Sequence, residues 1–489
     1  MNILSALKHN HTLLERIYSR GDELRDIRKA IREEAGLEAD NKRQLTIGVG
    51  HQPVPYYPGL LMKNLFTGLK AKELNITALN FVVDSDHGDM DIPVPRLQNK
   101  KYVKEIVSLK KGSSDIVFRE FDPGEDVVDD FFERTKNNLA TLDNQDIFRA
   151  FERWEKDFWK IYNKKEKHFI DSLEVMRRSF EERIGINLQD VKISHIVRTE
   201  AYYRFLWYLI SNMGRFCEIY NKAVLGWSSE NYQPVKCLYS EDGWTEIPFW
   251  LIKEGQRFSV EISKKGHKLY IRSVQAKEQF VLNITHDPVI QLKEKTALYP
   301  KASTLTIMLR LFFCDIFVHG IGAVEYEKVN NEFFQNFFEL QSKPVFYAVT
   351  GDIYLPFFDN MPKYDEVKKK YEKNQQWLKD YKHKPMSLLD KETSLKYKQR
   401  KMHVLKAMKK EENKDKRKEY NEKLKKIDKE IKEILSSEYN SIKDEIQRLQ
   451  FFFNNENVLF ERQYPYFIFP ENVLTPENMI QNMVVQKFG

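Results

Sequence analysis

The sequence predicts an α/β protein: a parallel-sheet core, a β-rich insert within it, and a C-terminal α-helical coiled coil. Three observations carry that prediction. Apolar runs at Leu45–Val49 and Ala78–Val83 bracket a helical stretch at Pro58–Leu74, the βαβ rhythm of a parallel sheet. Residues 234–285 alternate apolar and polar side chains between turn signals at Glu241-Asp242-Gly243, Lys253-Glu254-Gly255 and Lys264-Lys265-Gly266. From Pro362 to Leu449 glycine vanishes, Lys and Glu dominate, and apolar residues recur at three-four spacing.

Element by element, Leu13, Leu14, Ile17, Leu24, Ile27 and Ile31 predict a helix over 13–35 with Gly36 as its stop. Pro58-Gly59 suits a helix start, where the missing proline N–H costs nothing. Residues 127–184 read as helical and aromatic-rich, 191–197 as a strand, and 200–221 as a helix. The α/β pattern resumes at Pro300, and Pro344–Val349 is a further strand. Leu424, Ile427, Ile431, Ile434, Leu435, Tyr439, Ile442, Ile446 and Leu449 form the expected seam of the arm, with Pro385 breaking its first leg. The predicted organisation is therefore 1–233 and 286–361 for the core with a helical insert, 234–285 for the β-rich insert, 362–450 for an antiparallel coiled-coil arm, and 451–489 for an aromatic tail that packs back on the core.

Composition narrows the class. The chain has 489 residues and a formal net charge of +7. Lys401–Glu433 alone holds 13 basic and 8 acidic residues, a surplus of five, so the remainder is close to neutral. That argues against a protein-wide basic surface for nucleic acid. The longest apolar stretch, Leu305–Val318, contains Arg310 and Asp315 and is too short to span a bilayer, so no membrane partner is expected. Three cysteines with no CxxC pair and no signal pattern at Met1-Asn2-Ile3-Leu4 lead us to expect a cytoplasmic protein without disulfides.

Three segments carry chemistry. The first is Gly48–Lys63. A glycine turn between strand and helix exposes backbone N–H groups, the helix start adds partial positive charge, and Lys63 adds a full one. The set suits a phosphate or carboxylate, with Gly50, His51 and Gln52 beside it, though it matches neither GxGxxG nor a Walker A loop. The second is Asp84-Ser85-Asp86-His87-Gly88-Asp89-Met90-Asp91, denser in carboxylate than a plain turn needs. It reads as a general-base pair such as Asp86 with His87, as a site for Mg²⁺ or another metal, or as Asx-turn and cap chemistry. No residue is assigned to a metal. The third runs from Tyr299-Pro300-Lys301 through an apolar helix to His319-Gly320-Ile321-Gly322, with Glu325 and Tyr326 following.

Taken in order, these segments resemble the bacillithiol biosynthesis cysteine-adding enzymes, a family of cysteine ligases. Gly50-His51-Gln52-Pro53 with Pro58-Gly59 is similar to the family's glycine turn and helix start, and Phe81-Val82-Val83-Asp84-Ser85-Asp86-His87 to its strand ending in Asp-His. Tyr299-Pro300-Lys301 stands where the family has Arg-Pro, and Gly320-Ile321-Gly322-Ala323-Val324-Glu325-Tyr326 looks like its later glycine segment. His51 for glutamine and Tyr299 for arginine mark a divergent relative. The resemblance implies a Rossmann-like core, a homodimer formed through the coiled coil, and an adenine nucleotide, ATP or ADP. It also implies the joining of cysteine, or another amino acid, to the amine of a small amino-sugar conjugate. His51, Asp84, Asp86 and His87 are then the expected catalytic groups. Gly50, Gln52, Lys63, Lys301, His319, Gly320, Gly322 and Glu325 are expected to bind substrate or anion. Two other readings compete: a nucleotide-binding aminoacyl or nucleotidyl transferase, although no HxGH element is present, and a non-catalytic scaffold built on the coiled coil.

Overall fold

The computed structural model describes residues 2–37, 45–88, 90–109, 115–164, 168–229 and 232–489. It is a mixed α/β molecule. Its central sheet has six strands in the spatial order Met483–Phe488, Phe346–Gly351, Ile316–His319, Thr46–His51, Thr77–Val82, Gln189–Lys192. All neighbours run parallel except Met483–Phe488, which pairs antiparallel with Phe346–Gly351. Parallel strands are buried on both faces, which is why they read as continuous apolar runs. The glycines of Thr46–His51 belong to that packing. A Cβ on Gly50 would lie 2.9 Å from the carbonyl oxygen of Phe81, whose ring fills the space beside the strand.

The amino ends of the strands are closed off by the first helix. Asn10 donates to the carbonyls of Asp315 and Val345 and accepts from the Val345 N–H, at 2.6–2.7 Å. The Asp315 carboxylate accepts from the Thr46 N–H at 2.8 Å. The carboxyl ends are left to the site described below.

Several elements differ from the sequence expectation, each for a local reason. The helix expected over 13–35 is two, Ile3–Tyr18 and Asp22–Glu34. Ile17 and Leu24 stay seven apart, so periodicity hides the break, while Asp22 and Glu23 favour a fresh helix start. The strand expected over 191–197 is Gln189–Lys192 followed at once by a short helix, Ile193–Ile196. The Asp84 carboxylate accepts from both the N–H (2.9 Å) and the hydroxyl of Ser194 and turns the chain there. The helix expected over 200–221 divides at Asn212, whose side chain donates to the Tyr208 carbonyl at 2.8 Å. The helical stretch 127–184 is three helices, Glu125–Leu139, Gln145–Lys164 and Phe169–Arg183. A hairpin, Ile92–Gln98 with Lys101–Val107, and the last strand, Met483–Phe488, have no counterpart in the sequence reading.

The β-rich stretch forms an antiparallel sheet in the order Glu278–Asn283, Lys268–Ser273, Gln256–Lys265, Trp244–Lys253, Leu298–Pro300, with Ser240–Glu241 beside Trp244–Lys253. Its first two turns are the predicted ones. Asp242-Gly243 and Glu254-Gly255 all have positive φ, the two-residue geometry that matches strand twist. A bulge between Ile247 and Trp250 interrupts the ladder at Pro248, which has no N–H to give to it.

The chain divides into two compact units. One comprises 1–96, 105–355 and 462–489; the other comprises 97–104 and 356–461. In the first, the tail packs inward: Phe467 stacks on Trp154 at 4.1 Å between ring centroids, and Trp154 donates to the Tyr466 hydroxyl at 3.2 Å. In the second, helix Tyr364–His383 packs with Ser436–Asn454, and Lys391–Lys410 with Lys414–Ile434. Tyr364–His383 ends just before Pro385, as the sequence predicts. Ile427, Ile431, Leu435 and Tyr397 form this unit's small core. Residues 451–461 of the expected tail stay with these helices.

Candidate active site

The chain lays down Thr77–Val82 and Gln189–Lys192 on one side of Thr46–His51, then crosses to place Ile316–His319 on the other. Strand order reverses there, and in open α/β sheets the crevice at such a reversal is where ligands bind. A cavity of about 350 Å³ opens at this point, within the first unit. Its wall includes Gly50, His51, Gln52, Lys63, Asp86, His319, Gly320 and Gly322 of the expected residues.

Lys63 lies on the second turn of the Pro58–Leu74 helix, whose Pro58–Thr67 stretch is wholly buried. The side chain therefore runs through the interior and is 2% exposed. Its ammonium donates to the Gly50 carbonyl at 3.2 Å. Among the described residues no carboxylate lies within ion-pairing distance of it. Burial alone pushes its pKa down to about 7.

Two histidines flank it. His51 is held by a contact of 3.1 Å between Nδ1 and the Gln52 carbonyl, with its ring edge-on to Tyr56. Burial first, and then the Lys63 charge, lower its pKa to about 3. His319 ends the Ile316–His319 strand and is 3% exposed. Burial outweighs the attraction of Glu327 and, with Arg310 and Lys63, lowers its pKa to about 4. Its Nε2 stands 3.5 Å from a Glu327 carboxylate oxygen, outside hydrogen-bond geometry, and among the described residues it has no hydrogen-bond partner. Glu327 is itself fixed by Arg310 at 2.5 Å and Asn330 at 2.9 Å. Both histidines are neutral at pH 7.

Asp86 enters the wall already engaged. Its carboxylate accepts from Gln52 at 2.8 Å, from the His87 N–H at 2.9 Å, and from Arg257. Arg257 and Trp250 reach the cavity from the antiparallel sheet, across the turn Glu254-Gly255 and beyond the bulge at Pro248. The Arg257 guanidinium lies 5.2 Å from the Trp250 ring centroid, and its buried Nε has no hydrogen-bond partner. Arg462 joins the wall from the returning tail, bonded to Thr350 at 2.9 Å and Asp352 at 3.1 Å, and Tyr326 completes it. The sequence reading gave Arg257, Trp250 and Arg462 no place in the site and named Tyr326 only as the end of its third segment. The only signals were a tryptophan and an arginine on neighbouring strands of the insert.

Four expected residues stand outside the wall. Asp84 is buried and accepts from the Ser194 N–H and hydroxyl, 110 residues away, at the start of the Ile193–Ile196 helix. His87 bridges to Val117 along the backbone. Lys301 pairs with Glu246 at 2.6 Å and sits 4.2 Å from the Trp250 ring centroid, steadying that ring. Glu325 pairs with Lys328 at 2.6 Å. Asp89 lies outside the described residues. Among the described residues no group of three or more His, Cys, Asp or Glu side chains is placed to hold a metal ion, and no helix is long and apolar enough to cross a membrane.

No protein-family model matches this chain, and no curated protein matches it.

Proposed function

We propose that the chain is an amide-forming ligase that joins an amino acid, cysteine first among them, to the amine of a small amino-sugar conjugate. In this reading the central sheet is a Rossmann-like core and the Lys-rich helices form a coiled-coil arm through which two copies pair. The observation that carries the reading is Lys63: a buried amine without a carboxylate partner, in a cavity at the strand-order reversal.

The chemistry follows from its surroundings. An attacking amine is an ammonium at neutral pH and must lose a proton before it reaches a carboxyl carbon. His51 and His319 are neutral but too weakly basic to take that proton, since their pKa values lie near 3 and 4. Lys63, near 7, is matched to the task, because a general base works best with a pKa close to the working pH. The proposal therefore moves the base from His51 and His87 to Lys63. Arg257 and Arg462 face the cavity as donors to substrate carboxylates. Arg257 brings an unpartnered Nε–H, and a guanidinium matches a carboxylate in two-point geometry.

An adenine nucleotide suits the same wall. Tyr57 gives the helix start no side-chain cap, Gly59 follows it, and Arg462 is cationic. These residues would hold its phosphates, and the nucleotide would supply activation of the donor carboxyl group.

The test is direct. Full-length protein is incubated with ATP, isotope-labelled cysteine and glucosaminyl-malate, and products are resolved by mass spectrometry. A labelled amide is expected, and Lys63→Met should slow its formation by about a hundredfold or more. Absence of any conjugate with cysteine or the other amino acids, across amino-sugar acceptors, would overturn the reading.

A further inference from the structure

Lys63 has what a nucleophilic lysine needs, and a proton acceptor needs less. A base must only reach a proton. A nucleophile must keep its lone pair free of carboxylates and face a cavity that admits the carbonyl compound. Among the described residues the Lys63 ammonium hydrogen-bonds only the Gly50 carbonyl, at 3.2 Å. Gly320 lines the cavity beside the Lys63 side chain, where a Cβ would make an ordinary contact at 3.8 Å. His51 and His319 line the same cavity, each within electrostatic reach of Lys63. Arg257 lines the same cavity and brings a guanidinium to it.

We infer that Lys63 condenses with the carbonyl group of a small aldehyde or ketone bearing a carboxylate, forming an imine in this cavity. The carbonyl carbon would sit against Lys63 and the carboxylate against Arg257. The step balances without an oxidant or reductant. The lone pair of the amine forms an N–C bond as the carbonyl π pair moves to oxygen. A proton passes from nitrogen to that oxygen, giving a carbinolamine. The hydroxyl then takes a second proton and leaves as water, while nitrogen loses its last proton and forms C=N. Neutral His319 and His51 line the same cavity as hydrogen-bonding groups for that oxygen, and water carries the protons. The activity goes beyond amide formation and does not require it. The same unprotonated amine serves either reaction, and burial supplies it: near pH 7 about half of a group with a pKa near 7 is unprotonated, against less than about one part in a thousand for an ordinary lysine.

The experiment uses full-length protein with glyoxylate or pyruvate, sodium cyanoborohydride as the trap, and peptide mapping by mass spectrometry. Propanal, which has no carboxylate, is the comparison. We expect the reduced secondary amine at Lys63 at least about tenfold above the mean of the other lysines, half-maximal near pH 7, and lower with propanal. Labelling spread evenly over surface lysines, with Lys63 no higher, overturns the inference. Equal labelling by propanal overturns the carboxylate part of it. The map is read on the unaltered protein, so it does not depend on a variant folding. Lys63→Arg, checked for its melting transition, should remove the adduct at that position alone. Because no amide is formed in this assay, a negative result here leaves the ligase reading standing, and a missing amide leaves this one standing.

Discussion

Lysine does opposite things in the two units of this molecule. In the strand-end site one lysine, 2% exposed, is carried into the interior by a buried helix and held by a carbonyl oxygen. In the helical unit lysines line solvated faces, as with Lys418, Lys425 and Lys429, whose side chains are 73–80% exposed and pair with neighbouring acids. The net charge of +7 comes mostly from the second kind. The difference teaches that charge count says little about chemistry. What matters is whether water or protein surrounds the charge, because desolvation changes an amine's proton affinity while surface pairing scarcely does.

The sharpest way to break this contrast is Lys63→Met, which keeps the length of the side chain and removes the amine. Amide formation should fall by about a hundredfold or more. Stability should move the other way. The folded pKa of Lys63, about 7, lies below its ordinary 10.5, so between those values the unfolded chain binds the extra proton. Stability of the natural protein then rises with pH across that window by about 1.4 kcal/mol per unit. Below pH 7 both states are protonated and the full penalty of burying the charge remains. The variant should therefore be the more stable protein at pH 6, with the gap narrowing towards pH 9. Urea melts of both proteins at several pH values measure it. A gap that does not change with pH would mean that Lys63 is not desolvated, and the contrast with the arm would fail.

Much of this site is legible in the sequence, and the missing part has a physical reason. Gly50, His51, Gln52 and Asp86 follow strands that are visible as apolar runs before polar turns, and Lys63 lies on the helix that Pro58-Gly59 announces; the strand before His319 reads in the sequence as part of an apolar helix. Arg257 and Trp250 are not visible in that way. They come from an insert 171 positions beyond Asp86 in the case of Arg257, and a bulge at Pro248 precedes Trp250 on its strand. A local pattern carries no signal of such a meeting. Asp84 and Asp86 are two residues apart in one turn, yet one caps Ser194 and the other faces the cavity. Their neighbours decide this, and those neighbours are distant in the chain. The helical unit shows the same limit. Three-four spacing admits both Ile431, 0% exposed, and Ile434, 51% exposed, because adjacent seam positions differ only in rotation about the helix.

Ile431→Ala tests whether the second unit has a real core despite its charge. It removes the most buried side chain of the Ile427–Ile431–Leu435–Tyr397 cluster. The expected cost is about 2–4 kcal/mol, felt as a lowered unfolding midpoint of the helices by circular dichroism. The Lys63 pH dependence should be unaltered, since that group lies in the other unit. A cost below about 1 kcal/mol would mean that the cluster collapses around the lost atoms, and that these helices are held by something other than this core.

Lys425→Ala is the smallest effect and the fairest control for Lys63→Met. Lys425 pairs with Glu422 at 2.7 Å, one turn away on the Lys414–Ile434 helix, with both side chains at least 70% exposed. Exposed pairs of this kind are worth about 0.3–0.5 kcal/mol, and alanine returns a similar amount through its higher helix propensity. The two nearly cancel, so the urea midpoint should shift by less than about 0.5 kcal/mol in either direction and show no slope with pH between 6 and 9. Salt should not widen the shift, because screening only weakens a pair already in water. A larger or pH-dependent change would place Lys425 in a desolvated setting. The arm would then hold a lysine like Lys63, and exposure would no longer separate the working lysine from the solvated ones.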